Sequence, residues 1–173
     1  MTTTKETVLW STFTLLVASE VLIREASPED SERLRRMFSR CSRETIYLRF
    51  HLPLTSVSER LIALLVGDTE RGGRALVAAS GDEIFGHAMY ARNEERDREA
   101  EFAVVVEDGW KARGLGTLLL SELTEEARRD GIEALTGISL ANNHRLLSLA
   151  RRVLPGFVCL CSTGTCVIRA PLE

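Results

Sequence analysis

The chain alternates short apolar runs with polar breaks, and the spacing within those runs changes along its length. Val21-Leu22-Ile23 reads as a short strand, and Ser27-Pro28-Glu29-Asp30 behind it as the start of a helix. Ser27 offers a capping hydroxyl, Pro28 suits the first helical position, and the acids sit where the helix dipole favours them. Leu34, Met37, Phe38 and Cys41 recur at the spacing of one buried helical face. Leu61, Ile62, Leu64 and Leu65 mark a second helical segment that ends near Gly67. Residues 75–79 and 84–90 are apolar runs separated by Gly81-Asp82, the signature of a hairpin. The charged run 93–99 predicts a solvated loop, and 101–106 a Val-rich strand. Leu115, Leu118, Leu119, Leu123 and Ala127 then form the stripe of a long amphipathic helix stopped by Gly131. Residues 134–140 predict a strand, 144–153 a helix, and the remainder two short strands around Gly164. The order β-α-α-β-β-β-α-β-α-β-β predicts an α/β fold, a mixed sheet with helices on both faces.

A length of 173 residues with 45% apolar and 27% charged composition fits one domain that needs no metal or disulfide staple. Residues 1–20 read as an N-terminal extension and 21–173 as the domain. The uncharged stretch from Thr7 to Ser19 is too short to span a membrane, is broken by Ser11, Thr12 and Thr14, and follows Lys5-Glu6, a poor signal-peptide start. The expectation is a strand or short helix packed on the domain or on a partner, in a cytoplasmic protein without membrane contact. A net charge of −3, from 22 basic and 25 acidic residues, argues against bulk nucleic-acid binding and leaves only a local basic patch open. Cys159, Cys161 and Cys166 follow C-x-C-x4-C, neither a zinc-knuckle nor a thioredoxin pattern. With Cys41 they are expected to be free thiols, with no metal bound.

The stretch from Val104 to Thr117 carries the candidate chemistry. A strand runs into a turn holding Gly114 and Gly116, and a helix begins at once. Glycines there let the backbone approach a ligand and adopt conformations that a Cβ forbids. The helix start presents free N–H groups at the positive end of its dipole, together a phosphate cradle. Lys111 and Arg113 add charge, and Thr117 a hydroxyl. The dinucleotide fingerprint fails because Leu119 stands at the third glycine position, and no P-loop G-K-[S/T] occurs. Taken alone, the segment also fits an ordinary strand-turn-helix with glycines for close packing.

Lys111-Ala-Arg-Gly-Leu-Gly116 resembles the [Q/R]-x-x-G-x-[G/A] signature of the GNAT N-acetyltransferases, with Lys at its first position. Tyr47-Leu-Arg-Phe50, Ala100-Glu-Phe-Ala103, and the segment from Asn143 to Arg152 with Gly156-Phe157 resemble the acetyltransferase domain of bacterial Pat-type protein-lysine acetyltransferases. The resemblance spans about residues 21–170. It implies the GNAT fold, a mostly antiparallel sheet whose central parallel strands splay apart around acetyl-CoA. The backbone of Val104, Val105 and Val106 is then expected to pair with the pantetheine arm. N–H groups from Ala112, Arg113, Gly114, Leu115, Gly116 and Thr117, with Lys111 beside them, are expected to hold the pyrophosphate. Asn143 is expected to bond the cofactor near its thioester, to cap the following helix, or to do both.

A lysine-like amine has a pKa of about 10.4, so an acetyltransferase must remove a proton before attack. Glu101 occupies the position of the Pat-type general base, ten residues before the glycine motif. It lies in an apolar strand, where a carboxylate is costly without a task and where desolvation raises its pKa. The alternative is an edge glutamate paired with Arg92, Arg96 or Arg98. The general-acid Tyr that the wider family often carries is absent, as in Pat-type proteins, since Ala150 stands seven residues after Asn143. The connection through Val153-Leu154-Pro155-Gly156 is two residues longer than usual, and Pro155 must end the helix. His51 and His87 are weaker base candidates, and Trp110 either covers the cofactor or anchors the turn. The resemblance implies direct acetyl transfer from acetyl-CoA to a primary amine, foremost a protein lysine, by a monomer or homodimer. A small-molecule amine as acceptor and a non-catalytic acetyl-CoA sensor are the alternatives.

Overall fold

A computed structural model describes residues 21–67 and 72–172, so the extension expected over 1–20 lies outside the described residues. In chain order the elements are β1 (Leu22–Glu25), α1 (Ser31–Arg40), α2 (Arg43–Phe50), α3 (Glu59–Leu65), β2 (Arg74–Ser80), β3 (Glu83–Arg92), β4 (Glu99–Val106), α4 (Leu115–Arg129), β5 (Ala134–Leu140), α5 (His144–Val153), β6 (Val158–Ser162) and β7 (Thr165–Pro171). Short 3-10 turns at Pro28–Asp30 and Asp108–Trp110 lead toward α1 and α4. The first of these is the helix start expected at Ser27, whose N–H donates to the Asp30 carboxylate at 3.0 Å. Asp30 is buried, and the Arg24 guanidinium grips it with bonds of 2.6 and 2.7 Å.

Helix α2 is an element that hydrophobic spacing did not predict. Only Thr45 and Ile46 of its residues are buried, so it carries no apolar stripe to read. Local bonds start and stop it instead. Ser42 Oγ accepts the Thr45 N–H at 3.2 Å, and His51 closes the last turn in the left-handed region at φ 55°.

The strands form one sheet in the order β1-β2-β3-β4-β5-β7-β6, antiparallel throughout except for β4 beside β5. Helices cover both faces. On one, Leu115, Leu119, Leu120 and Leu123 of α4 pack with Tyr90, Phe102, Leu135 and Ile168. On the other, Leu34, Met37 and Phe38 of α1 and Ile62 and Leu65 of α3 pack with Val77, Ile84 and Val105. Leu118, expected in the buried stripe, is exposed, and Leu120 takes its place. Three successive leucines leave the azimuth of the stripe open until the sheet beneath is known.

The expected free thiols need one correction. Cys161 and Cys166 are cross-strand partners in the β6–β7 hairpin, their Cα atoms 4.0 Å apart, and they form a disulfide. Hairpin register, which spacing alone does not reveal, brings them together. Cys41 and Cys159 are free. Among the described residues no helix is long and apolar enough to cross a membrane.

Candidate functional site

The parallel pair β4–β5 is joined only at Glu99–Ala134, Ala100–Leu135 and Glu101–Thr136. Thr136 Oγ1 donates to the Ala100 carbonyl at 3.3 Å and ties the two strands at this apex. Beyond it β4 continues to pair with β3 as far as Val106, while β5 turns away to pair with β7. The divergence leaves the β5-facing backbone edge of Val104, Val105 and Val106 open, and an open edge accepts an extended ligand as an added strand. A cleft of about 330 Å³ occupies the gap, with walls from β4, the turn before α4, α5 and α2.

At its far end lies the turn from Lys111 to Gly116. Ala112 and Gly114 both have positive φ, 61° and 83°, and both line the cleft. Nothing stands within 4 Å of where a Cβ on Gly114 would lie. At Gly116 a Cβ would meet Leu149 at 3.3 Å, so α5 approaches the first turn of α4 closely. The first N–H groups of α4 thus face a space that suits a phosphate. Arg145 and Arg152 of α5 join Lys111 on the walls. Arg152 is steadied by its 2.8 Å bond to Thr117 Oγ1. Trp110 stacks on Phe85 at 4.2 Å between ring centres and carries Arg113 above its ring at 5.2 Å. It anchors the turn, and it also lines the cleft.

Asp108 fastens this turn to α2. Its carboxylate accepts from the Ser42 N–H at 2.7 Å, Thr45 Oγ1 at 2.8 Å and Lys111 Nζ at 2.7 Å. Burial alone raises its pKa, but these donors outweigh burial and hold the group well below the usual carboxylate range. Lys111 is therefore committed to Asp108 and Thr45 as well as to the cleft wall.

Asn143 caps α5, its Oδ1 accepting the Leu146 N–H at 3.2 Å. The side chain also lines the cleft, where its amide N–H groups have no protein partner among the described residues. Glu101 stands at the apex of the divergence, on the same strand face as Val105. It is exposed, which corrects the expectation of a desolvated carboxylate: the strand is paired on both edges there, with Ala91 and Thr136, but the side chain projects from the sheet face into solvent. Nor does it pair with the expected arginines. Arg92 donates to the Asp97 and Asp130 carbonyls, Arg96 pairs with Glu99, and Arg98 with Glu133. His87 is excluded as a base, since burial pushes its pKa down to about 3 and its Nε2–H is committed to the Leu65 carbonyl at 2.7 Å. Burial likewise pushes the Cys41 thiol up to about 12, with the nearby Asp108 and Glu107 charges adding to the shift, so it is no nucleophile.

Of the residues expected at the site, Val104, Val105, Val106, Lys111, Ala112, Gly114, Gly116, Thr117 and Asn143 line the cleft together. Arg113 and Leu115 do not, for Arg113 lies over Trp110 and the Leu115 side chain is buried in the core. Glu101 lies at the apex, outside the lining. Thr45 of α2 and Arg145, Leu149 and Arg152 of α5 also line the cleft without having been assigned a role from the sequence, and Leu48 and Arg49 belong to the Tyr47–Phe50 segment, which the resemblance places at the acceptor pocket without assigning its side chains. The α5 set was legible, since intervals of four and three put Arg145, Leu149 and Arg152 on one face of the helix. Thr45 had no such signal.

A family model described as the acetyltransferase (GNAT) family matches residues 32–154. The chain is 29% identical over 133 residues to Acetyltransferase PA5475 of Pseudomonas aeruginosa, covering 75% of this chain and 71% of that protein. Among solved structures it resembles the GNAT domain of S. lividans PAT, with a TM-score of 0.79 and 23% identity over 86% of this chain and 89% of that one. A phosphinothricin acetyltransferase from Sinorhizobium meliloti, in complex with AcCoA, gives a TM-score of 0.73 at 21% identity, covering 89% of each chain. The putative acetyltransferase yncA from Salmonella typhimurium, with its cofactor acetyl-CoA, gives 0.73 at 19% identity over 89% of this chain and 95% of that one.

Proposed function

The chain belongs to the acetyltransferase (GNAT) family, and from that premise we propose that it moves acetyl from acetyl-CoA to a primary amine by direct attack in a ternary complex. One observation carries the reading: β4–β5 pairing stops at Glu101–Thr136, and the cleft that opens there ends in a phosphate cradle. The residues present fit acetyl-CoA. The edge of Val104, Val105 and Val106 would receive the pantetheine amides. N–H groups from Ala112 to Thr117, with Arg145 and Arg152, would hold the phosphates, and Asn143 would donate to the cofactor near its reactive end. Bound acetyl-CoA supplies the activated thioester.

The work left to the protein is to deliver a neutral amine. Glu101 stands at the apex and takes the ammonium proton, directly or through one water. Its exposure keeps a path open to both solvent and acceptor. No side chain is needed to protonate the departing sulfur, since a thiolate leaves without assistance. The acceptor class is a protein lysine, a reading supported by the Pat-like segments of the sequence.

The test replaces the base and keeps its shape. In Glu101→Gln, acetyl-CoA affinity is expected to stay near wild type, while transfer falls by about 10²–10⁴, the usual worth of general-base catalysis. Raising the pH restores part of the rate, because more amine is already neutral. A folded Glu101→Gln enzyme with the wild-type rate at pH 7 excludes this role.

A further inference from the structure

Arg49 is the charged residue of the cleft that the proposed chemistry leaves unused. It projects from the last turn of α2 into the cleft wall. Its guanidinium lies over the sheet beside the apex: Nη2 is 3.5 Å from Met89 Sδ, and Met89 pairs with Ala103, two residues beyond Glu101. Around it lie the Phe50 ring at 4.8 Å and the buried imidazole of His87, whose pKa the guanidinium helps to lower. Nε is out of solvent and has no hydrogen-bond partner among the described residues. Glu101 influences it through space, yet no carboxylate comes within the 4 Å of an ion pair among the described residues. Burial accordingly pushes the guanidinium down to about 10, which Glu101 only partly offsets.

A buried cation with unmet donors is costly unless something pairs with it. The other arginines of the domain illustrate the contrast, for Arg24, Arg40 and Arg74 each grip a carboxylate. Asp108 reinforces the point by anchoring α2 to the phosphate turn, so the position of Arg49 is fixed independently of any ligand. A planar guanidinium suits the two oxygens of a carboxylate.

We propose that Arg49 is an anion-binding subsite for the acceptor, reading a carboxylate that lies beside the amine to be acetylated. The inference rests on the amine-acetylation reading above and narrows it. Docking that carboxylate on Arg49 would give the guanidinium the counter-charge it lacks and bring the amine toward Glu101. The same chemistry has two sources: a free amino acid, or an acidic residue next to a lysine in a peptide.

Matched acceptors that differ only in that charge separate them. One pair is free lysine against lysinamide; the other is a capped peptide with lysine followed by aspartate, against the same peptide with asparagine. Acetylated product is counted by mass spectrometry with wild type, Arg49→Met and Arg49→Lys, each checked for folding by circular dichroism. The expected result is that wild type favours the anionic member of at least one pair by about 10–100-fold in kcat/KM. The pair that shows the preference identifies the source. That ratio collapses in Arg49→Met and returns in part in Arg49→Lys, which would not happen if Arg49 only filled space. A wild type that acetylates all four without preference, or a preference that survives in folded Arg49→Met, overturns the subsite alone. A wild type that acetylates none of the four overturns the transfer reading and the subsite with it. Should Arg49→Met not fold, Arg49→Lys decides through the same ratio, and an unchanged ratio there overturns the subsite.

Discussion

His87 and Glu101 lie on neighbouring strands and on the same face of the sheet, yet their surroundings give them opposite properties. His87 is fully buried beneath α3, while Glu101 stands where the sheet opens. A histidine titrates near 6.5 in an unfolded chain, whereas burial, with Arg49 nearby, keeps His87 neutral down to about 3. Between those values only the unfolded chain takes up the proton. The contribution to stability is therefore complete above pH 6.5 and is lost as pH falls toward 3, at up to about 1.4 kcal/mol per unit. Urea midpoints should fall steadily from pH 7 to pH 4.5, and His87→Gln, which keeps a donor for the Leu65 carbonyl, should flatten that decline. An equally steep decline in the variant would mean that other groups carry it. Both histidine and glutamate were visible in the sequence as candidates. Their burial was not, because alternation along a strand tells which residues share a face but not what covers it.

At the scale of elements, the pieces that hold the ligand were more legible than those that face the acceptor. The glycine turn and the capped start of α5 announce themselves through residues with special backbone or capping roles, Gly114 and Asn143. Helix α2 does not, since it buries only Thr45 and Ile46 and owes its place to Asp108, a partner more than 60 residues away in sequence. That link ties the acceptor-side helix to the phosphate turn. Asp108→Ala removes the shared acceptor, leaves Lys111 free to swing out, and should lower stability by about 1–3 kcal/mol, the scale of lost charge-assisted bonds. Acetyl-CoA should bind more weakly to this variant, and urea titration with calorimetry reads both effects. Wild-type values for both would show that α2 is held by packing alone. The β6–β7 disulfide was hidden for the same reason, since it depends on a cross-strand register.

Across the whole molecule, the expected order of strands and helices holds apart from α2, and the sheet has the single parallel pair that the resemblance implied. The antiparallel strands on either side bury their two faces under α1 and α3 or under α4 and α5, which lets the centre open without loss of either core. The succession of elements along the chain was legible because polar and glycine breaks separate the apolar runs. The point at which β4 and β5 separate was not, because both strands remain apolar through the opening. What enters that gap decides the function, and calorimetric titration of acetyl-CoA into wild type and Gly114→Val tests this most directly. A valine at φ 83° costs about 1–2 kcal/mol of backbone strain and puts its side chain into the empty space of the cradle. Wild type should bind acetyl-CoA at one site per chain, and a folded Gly114→Val should lose that binding. Equal affinity in both proteins, or no binding by wild type, would contradict the account.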